Sequence, residues 1–402
     1  MALLNYNNDG FHVNGNININ NNGCSFGMAL AIGQDMKLYC HLYQELCSLK
    51  NLESAWKKAR KRKTLKPYVI EFEKNLPENL HVLRNELLLH SYQPLPLKEF
   101  IIRDPKTRRI SVSDFRDRIV HHAICNIIGP IYDKMFVHDS YANRKGKGSL
   151  AAINRLEQFI KKVSHNGTLV RKSNRICIRG FFLKCDIKHY FENISHKRML
   201  EILQKNLQDK ELLFLVSNIL SNHGFDKGMP LGNLTSQFFA NVYLNELDQF
   251  VKHNLKAKYY IRYVDDFVIL HTDKATLEGY LREISAFLTS SLSLELNNDK
   301  CKFQPLDRGV DFLGFRVFYH HRLLRKRNVR SAYRKIHGLK TVYSEKDASY
   351  DTAYNFLQGW LAYARNADTY KVRMRMSENF IYLFPNEISS IEINRLLKYS
   401  KM

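Results

Sequence analysis

The chain has 402 residues, and 62 Lys and Arg against 39 Asp and Glu give it a formal net charge of +23, beside an ordinary 45% of hydrophobic residues. That length can bury a large core in two or three domains, and that charge favours a polyanionic partner, because each neutralised phosphate releases counterions. No apolar run approaches the roughly 18 to 20 residues that span a bilayer, and no secretory pattern opens the chain, so a soluble cytoplasmic protein without a membrane partner is expected.

Residues 1–35 are dense in Asn and Gly and cannot build a core, so they read as a disordered polar extension. From Met36 the texture becomes helical, with Leu38, Leu42, Leu46 and Leu49 at helical spacing, and a second helical pattern covers Val69 to His90. Between them the run Trp56 to Lys63 is either a solvated basic face or a phosphate contact. Phe100 to Ile110 reads as two short strands around a basic turn, which puts Lys106, Arg108 and Arg109 at a hairpin tip, exposed or gripping a triphosphate. An apolar helix follows from Phe115. Its adjacent His121 and His122 point about 100° apart and are read as structural.

The loop Asp139 to Ser149 is basic and contains glycine but lacks the Walker spacing, so backbone contact along a nucleic acid fits better than P-loop hydrolysis. Phe181 to Cys185 has the pattern of a buried strand, and Asp186 stands at its end as a metal ligand or a helix N-cap. Gly228 to Asn241 opens as a loop punctuated by Gly and Pro, and Thr235 or Ser236 could cap the helix that continues through Val251. Tyr259 to His271 then reads as two strands joined by a tight turn holding Asp265 and Asp266, either a solvated turn or a divalent metal site, since paired carboxylates stay ionised most easily beside a cation. A helix from Thr276 to Leu288 and a compact strand pattern from Val310 to Val317 follow. The tail from Arg322 is basic and then helical, with interleaved Tyr, and suits a surface along a nucleic-acid backbone or a plain solvated helix. The seven cysteines, scattered from Cys24 to Cys301, are read as reduced thiols.

Carboxylates at strand ends are what holding two divalent ions for nucleotidyl transfer requires. Taken in order, Asp104-Pro105-Lys106, Phe115 to Arg118, Asp186, Leu231 to Gln237, Tyr263 to Asp266, Lys300 and Phe312 to Gly314 make the chain from about Met36 resemble prokaryotic reverse transcriptases, most closely those of diversity-generating retroelements. The resemblance implies an α/β (α+β) right-hand polymerase, with fingers and an antiparallel-sheet palm over 36–320 and a small basic helical thumb over 321–402. It implies RNA-directed DNA synthesis on a template-repeat RNA with two Mg2+ ions, Mn2+ being an alternative. Asp186, Asp265, Asp266 and the Ile187 carbonyl would hold the metals. Lys106 and Arg108, or Arg109, would contact the incoming deoxynucleoside triphosphate, Phe191 would exclude a ribose 2′-hydroxyl, and Leu231 and Gly232 would lie near the nascent pair. Lys300 would give a proton to pyrophosphate, and Phe312, Leu313 and Gly314 would grip the primer in an RNA/DNA hybrid.

Most reverse transcriptases carry Gln where this chain has Leu231, and Ser-Pro where it has Ser236-Gln237. Those of diversity-generating retroelements share both changes and copy template adenines inaccurately. Losing an amide near the nascent pair should weaken discrimination. The resemblance also implies a basic accessory variability protein as partner. It recasts residues 1–35 as a reading-frame extension over the template repeat, with Met36 as the natural start. The alternatives are a defence-associated or group II intron-like reverse transcriptase, and an RNA-binding scaffold without catalysis. An endonuclease after the thumb is not expected, the remaining sequence being too short.

Overall fold

The computed structural model describes residues 39–103, 107–172, 175–224 and 226–401. The expectation for residues 1–35 and the choice of Met36 as start lie outside these, as do Asp104, Pro105 and Lys106. Residues from Leu38 onward form one compact unit. No helix of the described residues is long and apolar enough to cross a membrane.

The strands in chain order are β1 (Lys98–Ile102), β2 (Arg108–Val112), β3 (Leu169–Lys172), β4 (Arg175–Ile178), β5 (Phe181–Asp186), β6 (Tyr259–Tyr263), β7 (Asp266–His271), β8 (Lys302–Pro305), β9 (Val310–Phe312), β10 (Phe315–Val317) and β11 (Arg322–Leu324). Four of them make the central antiparallel sheet, in the order β6-β7-β5-β8. Its side chains alternate with the period of two that a pleated strand imposes. Leu183, Cys185, Tyr260, Phe267 and Ile269 enter one core, with Phe239 and Tyr243 of helix Leu234–Gln249 and Ile284 and Leu288 of helix Lys274–Leu292. Phe182, Ile261, Val268 and Leu270 enter the other, against Leu156 and Phe159 of helix Ser149–Val163 and residues of β9 and β10. The sheet is therefore buried on both faces, which is why β5 and β7 read as nearly continuous apolar runs.

The second core continues into the C-terminal helices Lys326–Ser344, Tyr350–Ala364, Tyr370–Leu383 and Ser390–Lys401. The expected boundary at 320/321 falls between β10 and β11, which pair with each other in a three-stranded sheet. The helical pattern from Val69 to His90 is two helices, Pro67–Lys74 and Leu76–Leu88. Asn75 interrupts it with φ −126°, and Pro77, which has no amide hydrogen to give, starts the second helix. Thr235 and Ser236 are not N-caps. They lie buried in the first turn of a helix whose cap position is Asn233.

Candidate active site

Asp186, the last residue of β5, is paired in register with Asp266, the first residue of β7. Val264 and Asp265 form the two-residue turn between β6 and β7, because Tyr263 pairs directly with Asp266. The turn is strained: Val264 has φ 56°, a region that a β-branched side chain enters at a cost of about 1–3 kcal/mol. Ile187 N donates to the Asp265 carbonyl at 3.2 Å, joining the turn to the strand end that carries Asp186. Sheet register thus brings together carboxylates from positions about eighty residues apart.

Two lysines attend them. Lys300, in the 3-10 turn Asn298–Lys300 before β8, holds Asp186 at 2.5 Å. Asp186 is thus not the helix cap it could have been: the short helix Tyr190–Asn193 is preceded by His189. Lys184, two residues before Asp186, donates to Asp266 Oδ2 at 2.9 Å and to the Asp311 carbonyl at 2.8 Å. Burial raises the Asp266 carboxyl to about 6 even though Lys184 pulls it down. Burial and the charge of Asp186 also raise Asp265, against the opposing pull of Lys300 and Arg108.

These residues fit a divalent ion. Asp266 Oδ1 is buried without a hydrogen-bond partner, and the donors are hard carboxylate oxygens. Among the described residues no three carboxylate, imidazole or thiol groups converge closely enough to cage an ion by themselves. Magnesium sites commonly use one or two carboxylates completed by substrate phosphates and water, so an open site of this kind suits Mg2+ with a nucleotide.

Of the other expected residues, Arg108 acts on this centre electrostatically and Phe312 lies against Lys184. Arg108 and Arg109 lie in β2, not at the hairpin tip. Arg109 pairs with Glu99 across the hairpin at 2.5 Å, whereas Arg108 acts electrostatically on Asp265. The loop before helix Leu234–Gln249 spans the gap between two of the expected contacts. At one end Met229 N donates to the Phe191 carbonyl at 2.8 Å. At the other, Ser111 N donates to the Leu231 carbonyl at 2.9 Å and Ser113 N to Asn233 Oδ1 at 3.0 Å. A Cβ on Gly232 would come within 3.0–3.1 Å of Ile110, Ser111 and Val112, so glycine there permits close docking on β2.

Phe312 is fully buried, with Lys184 Nζ 5.8 Å from its ring centroid, so its side chain anchors rather than projects. Leu313 (φ 46°) and Gly314 (φ 91°) form the β9–β10 turn with the paired positive φ of a type I′ hairpin. That turn is held from the C-terminal helices, where Asn328 Nδ2 donates to the Gly314 carbonyl at 3.2 Å and to Tyr363 Oη at 3.1 Å.

Sequence reading missed Lys184, Asn233, Arg262 and Asp248. Lys184 could have been found from its spacing, since two residues from Asp186 in a strand is the same face. Arg262 could have been noticed as a lone cation in an apolar strand. Its fully buried partner Asp248 lies on another element, where no local pattern marks it.

A family model described as reverse transcriptase (RNA-dependent DNA polymerase) matches residues 102–317. The chain is similar to protein YkfC of Escherichia coli (strain K12), 28% identical over 313 residues that cover 67% of this chain and 77% of that protein. It is also similar to the group II intron-encoded protein LtrA of Lactococcus lactis subsp. cremoris, 22% identical over 300 residues, 56% of this chain and 47% of LtrA. The chain thus spans about half the length of LtrA. Among solved structures, telomerase from Candida albicans in complex with a fragment of telomeric RNA aligns with a TM-score of 0.43 and 12% identity, covering 78% of this chain and 64% of that one.

Proposed function

This chain belongs to the reverse transcriptase family of RNA-dependent DNA polymerases, and on that premise we propose that it copies a template-repeat RNA into DNA with reduced fidelity at adenine, as part of a diversity-generating retroelement. The catalytic part of this reading is supported by one observation above the others: Asp186 and Asp266 are opposed in register, and Asp265 is held beside them by a strained turn. Two divalent ions bound by Asp186, Asp265, Asp266 and the Ile187 carbonyl would supply activation of the primer hydroxyl and charge for the pyrophosphate.

The remaining roles belong to the chain itself. Arg108 and Lys106 bind the triphosphate, and Phe191 excludes the ribose 2′-hydroxyl. Lys300, held at Asp186, gives its proton to the leaving pyrophosphate. Leu313 and Gly314 hold the primer end of an RNA/DNA hybrid, and the basic C-terminal helices lie along its backbone. A basic accessory protein and a cytoplasmic location complete the proposal.

The diversifying role rests on Leu231, whose carbonyl is held by Ser111 N of β2 and whose aliphatic side chain carries no hydrogen-bonding group. Leu231→Gln is expected to lower misincorporation opposite template adenine several-fold without a comparable change at the other bases. Sequencing of cDNA made from a defined RNA checks this, and unchanged or uniformly low adenine error in the parent protein would contradict it. A group II intron-like role is the second reading, favoured by the similarity to LtrA. Accurate copying together with tight binding of a structured intron RNA would support it instead.

A further inference from the structure

Arg262, in β6, is fully buried, and every N–H of its guanidinium has an acceptor. Nε donates to Asp248 Oδ1 at 2.7 Å and Nη2 to Asp248 Oδ2 at 2.5 Å, a bidentate pair with both side chains wholly buried. Nη2 also reaches Ser140 Oγ at 3.1 Å. Nη1 reaches Asn241 Oδ1 at 3.4 Å and the carbonyl of Val264 at 2.9 Å. Asp248 is further fixed by Tyr260 Oη at 2.6 Å, and Asn241 by donating to the Ala142 carbonyl at 2.7 Å.

Stability alone does not call for such a group, because well-packed apolar residues commonly replace a buried ion pair at no loss. The contact an apolar pair could not make is the one to Val264. That residue holds φ 56° without the freedom of glycine, and the next two residues are Asp265 and Asp266. The Asp265 carbonyl also receives Ile187 N, so a shift of the turn would move Asp265 relative to Asp186.

We propose that Arg262 is a positioning residue for nucleotidyl transfer: clamped by Asp248, it holds the Val264 carbonyl and keeps the strained turn aiming Asp265 and Asp266 at the reacting atoms. The inference rests on the polymerase reading. A lysine at 262 would keep the charge facing Asp248, but its three donors radiate from one nitrogen and cannot span Asp248, Ser140 and Val264 together. Glycine at 264 takes up positive φ unaided and should relieve the need for the clamp.

The test compares wild type, Arg262→Lys, Val264→Gly and the double variant by steady-state primer extension, by Mn2+ binding in electron paramagnetic resonance and by thermal unfolding. Arg262→Lys should fold, lose roughly 10- to 100-fold in kcat with the nucleotide KM little changed, and bind Mn2+ more weakly. Adding Val264→Gly should recover much of both losses. Asp248→Asn, which keeps the shape of the side chain, should show the same split and the same rescue.

Full activity and Mn2+ affinity in Arg262→Lys, or losses that Val264→Gly leaves untouched, would overturn the proposal. So would failure of both Arg262→Lys and Asp248→Asn to fold with or without Val264→Gly, which would make the pair purely structural. A wild-type protein that binds Mn2+ but extends no primer would overturn the polymerase reading, and this inference with it.

Discussion

Asp265 and Asp266 are neighbours in sequence but differ in what compensates them. Asp266 has Lys184 against one oxygen, while Asp265 is raised by burial and by Asp186 without a lysine in direct contact among the described residues. Asp265→Asn is therefore expected to abolish synthesis and yet raise the Tm of the metal-free protein at pH 7 by roughly 1–3 °C, measured by calorimetry with chelator present. A lowered Tm would contradict this. Asp266→Asn should gain less or lose, since it strands the Lys184 charge. The pH dependence has a definite sign. Carboxyls with raised folded-state pKa hold protons better in the fold than in the unfolded chain. The stability these two lend the metal-free fold is present below the ordinary carboxylate range and is lost as pH rises through their raised values, about 6 for Asp266. Mn2+ binding runs the other way, level above about pH 6 and weakening below it as protons compete, which titration at several pH values would check. At this scale the acidic residues were legible because a charge inside an apolar run needs a reason. Lys184 and Arg262 were missed, although each is a cation inside an apolar strand, because their partners lie across the sheet or on another element.

Hairpins carry the machinery at the scale of elements. The β6–β7 turn was visible as β-branched and aromatic runs broken by two acidic positions, whereas Val310 to Val317 read as one compact strand pattern and is a hairpin that turns at Leu313 and Gly314; the structure also adds the strain and the clamps. For the β1–β2 hairpin the resemblance left Arg108 and Arg109 as rivals at an expected tip, whereas both lie in β2, where neighbours point to opposite faces. Arg109 is engaged with Glu99, an exposed pair of small energetic worth. Arg108→Ala is expected to raise the nucleotide KM roughly 10-fold or more and Arg109→Ala to change it little, as single-nucleotide incorporation would read; the reverse order would reassign the role. In the β9–β10 turn, a Cβ at Gly314 would lie 2.5 Å from Tyr363 Oη with φ 91°. Gly314→Ala should cost about 1–3 kcal/mol of stability in denaturant titration and shorten the products made before dissociation. The break at Asn75 was passed over because apolar spacing continues across it, although Pro77 marked the start of a second helix.

For the whole molecule, the two cores on either face of the central sheet explain why the C-terminal helices are continuous with the strands that carry the site. That β5, β6 and β7 are buried strands is written in their apolar runs, but which helices cover which face is set by long-range topology that no window of residues contains. The net charge of +23 belongs to this scale too. If the chain neutralises six to ten phosphates of an RNA/DNA hybrid, its affinity should fall by about 10³–10⁵ between 50 and 200 mM salt, as filter binding would measure. A flat salt response would contradict a backbone-tracking surface.

On the proposed reading, Asp186, Asp265 and Asp266 make one centre for RNA-templated DNA synthesis. Primer extension on an RNA template with Mg2+ and all four deoxynucleotides, comparing wild type with the Asp265→Asn, Asp266→Asn double variant, tests it most directly. The wild type should extend the primer, and a double variant that still binds the hybrid should not. Equal extension by both proteins, or none by the wild type with its cognate RNA and accessory protein supplied, would contradict it.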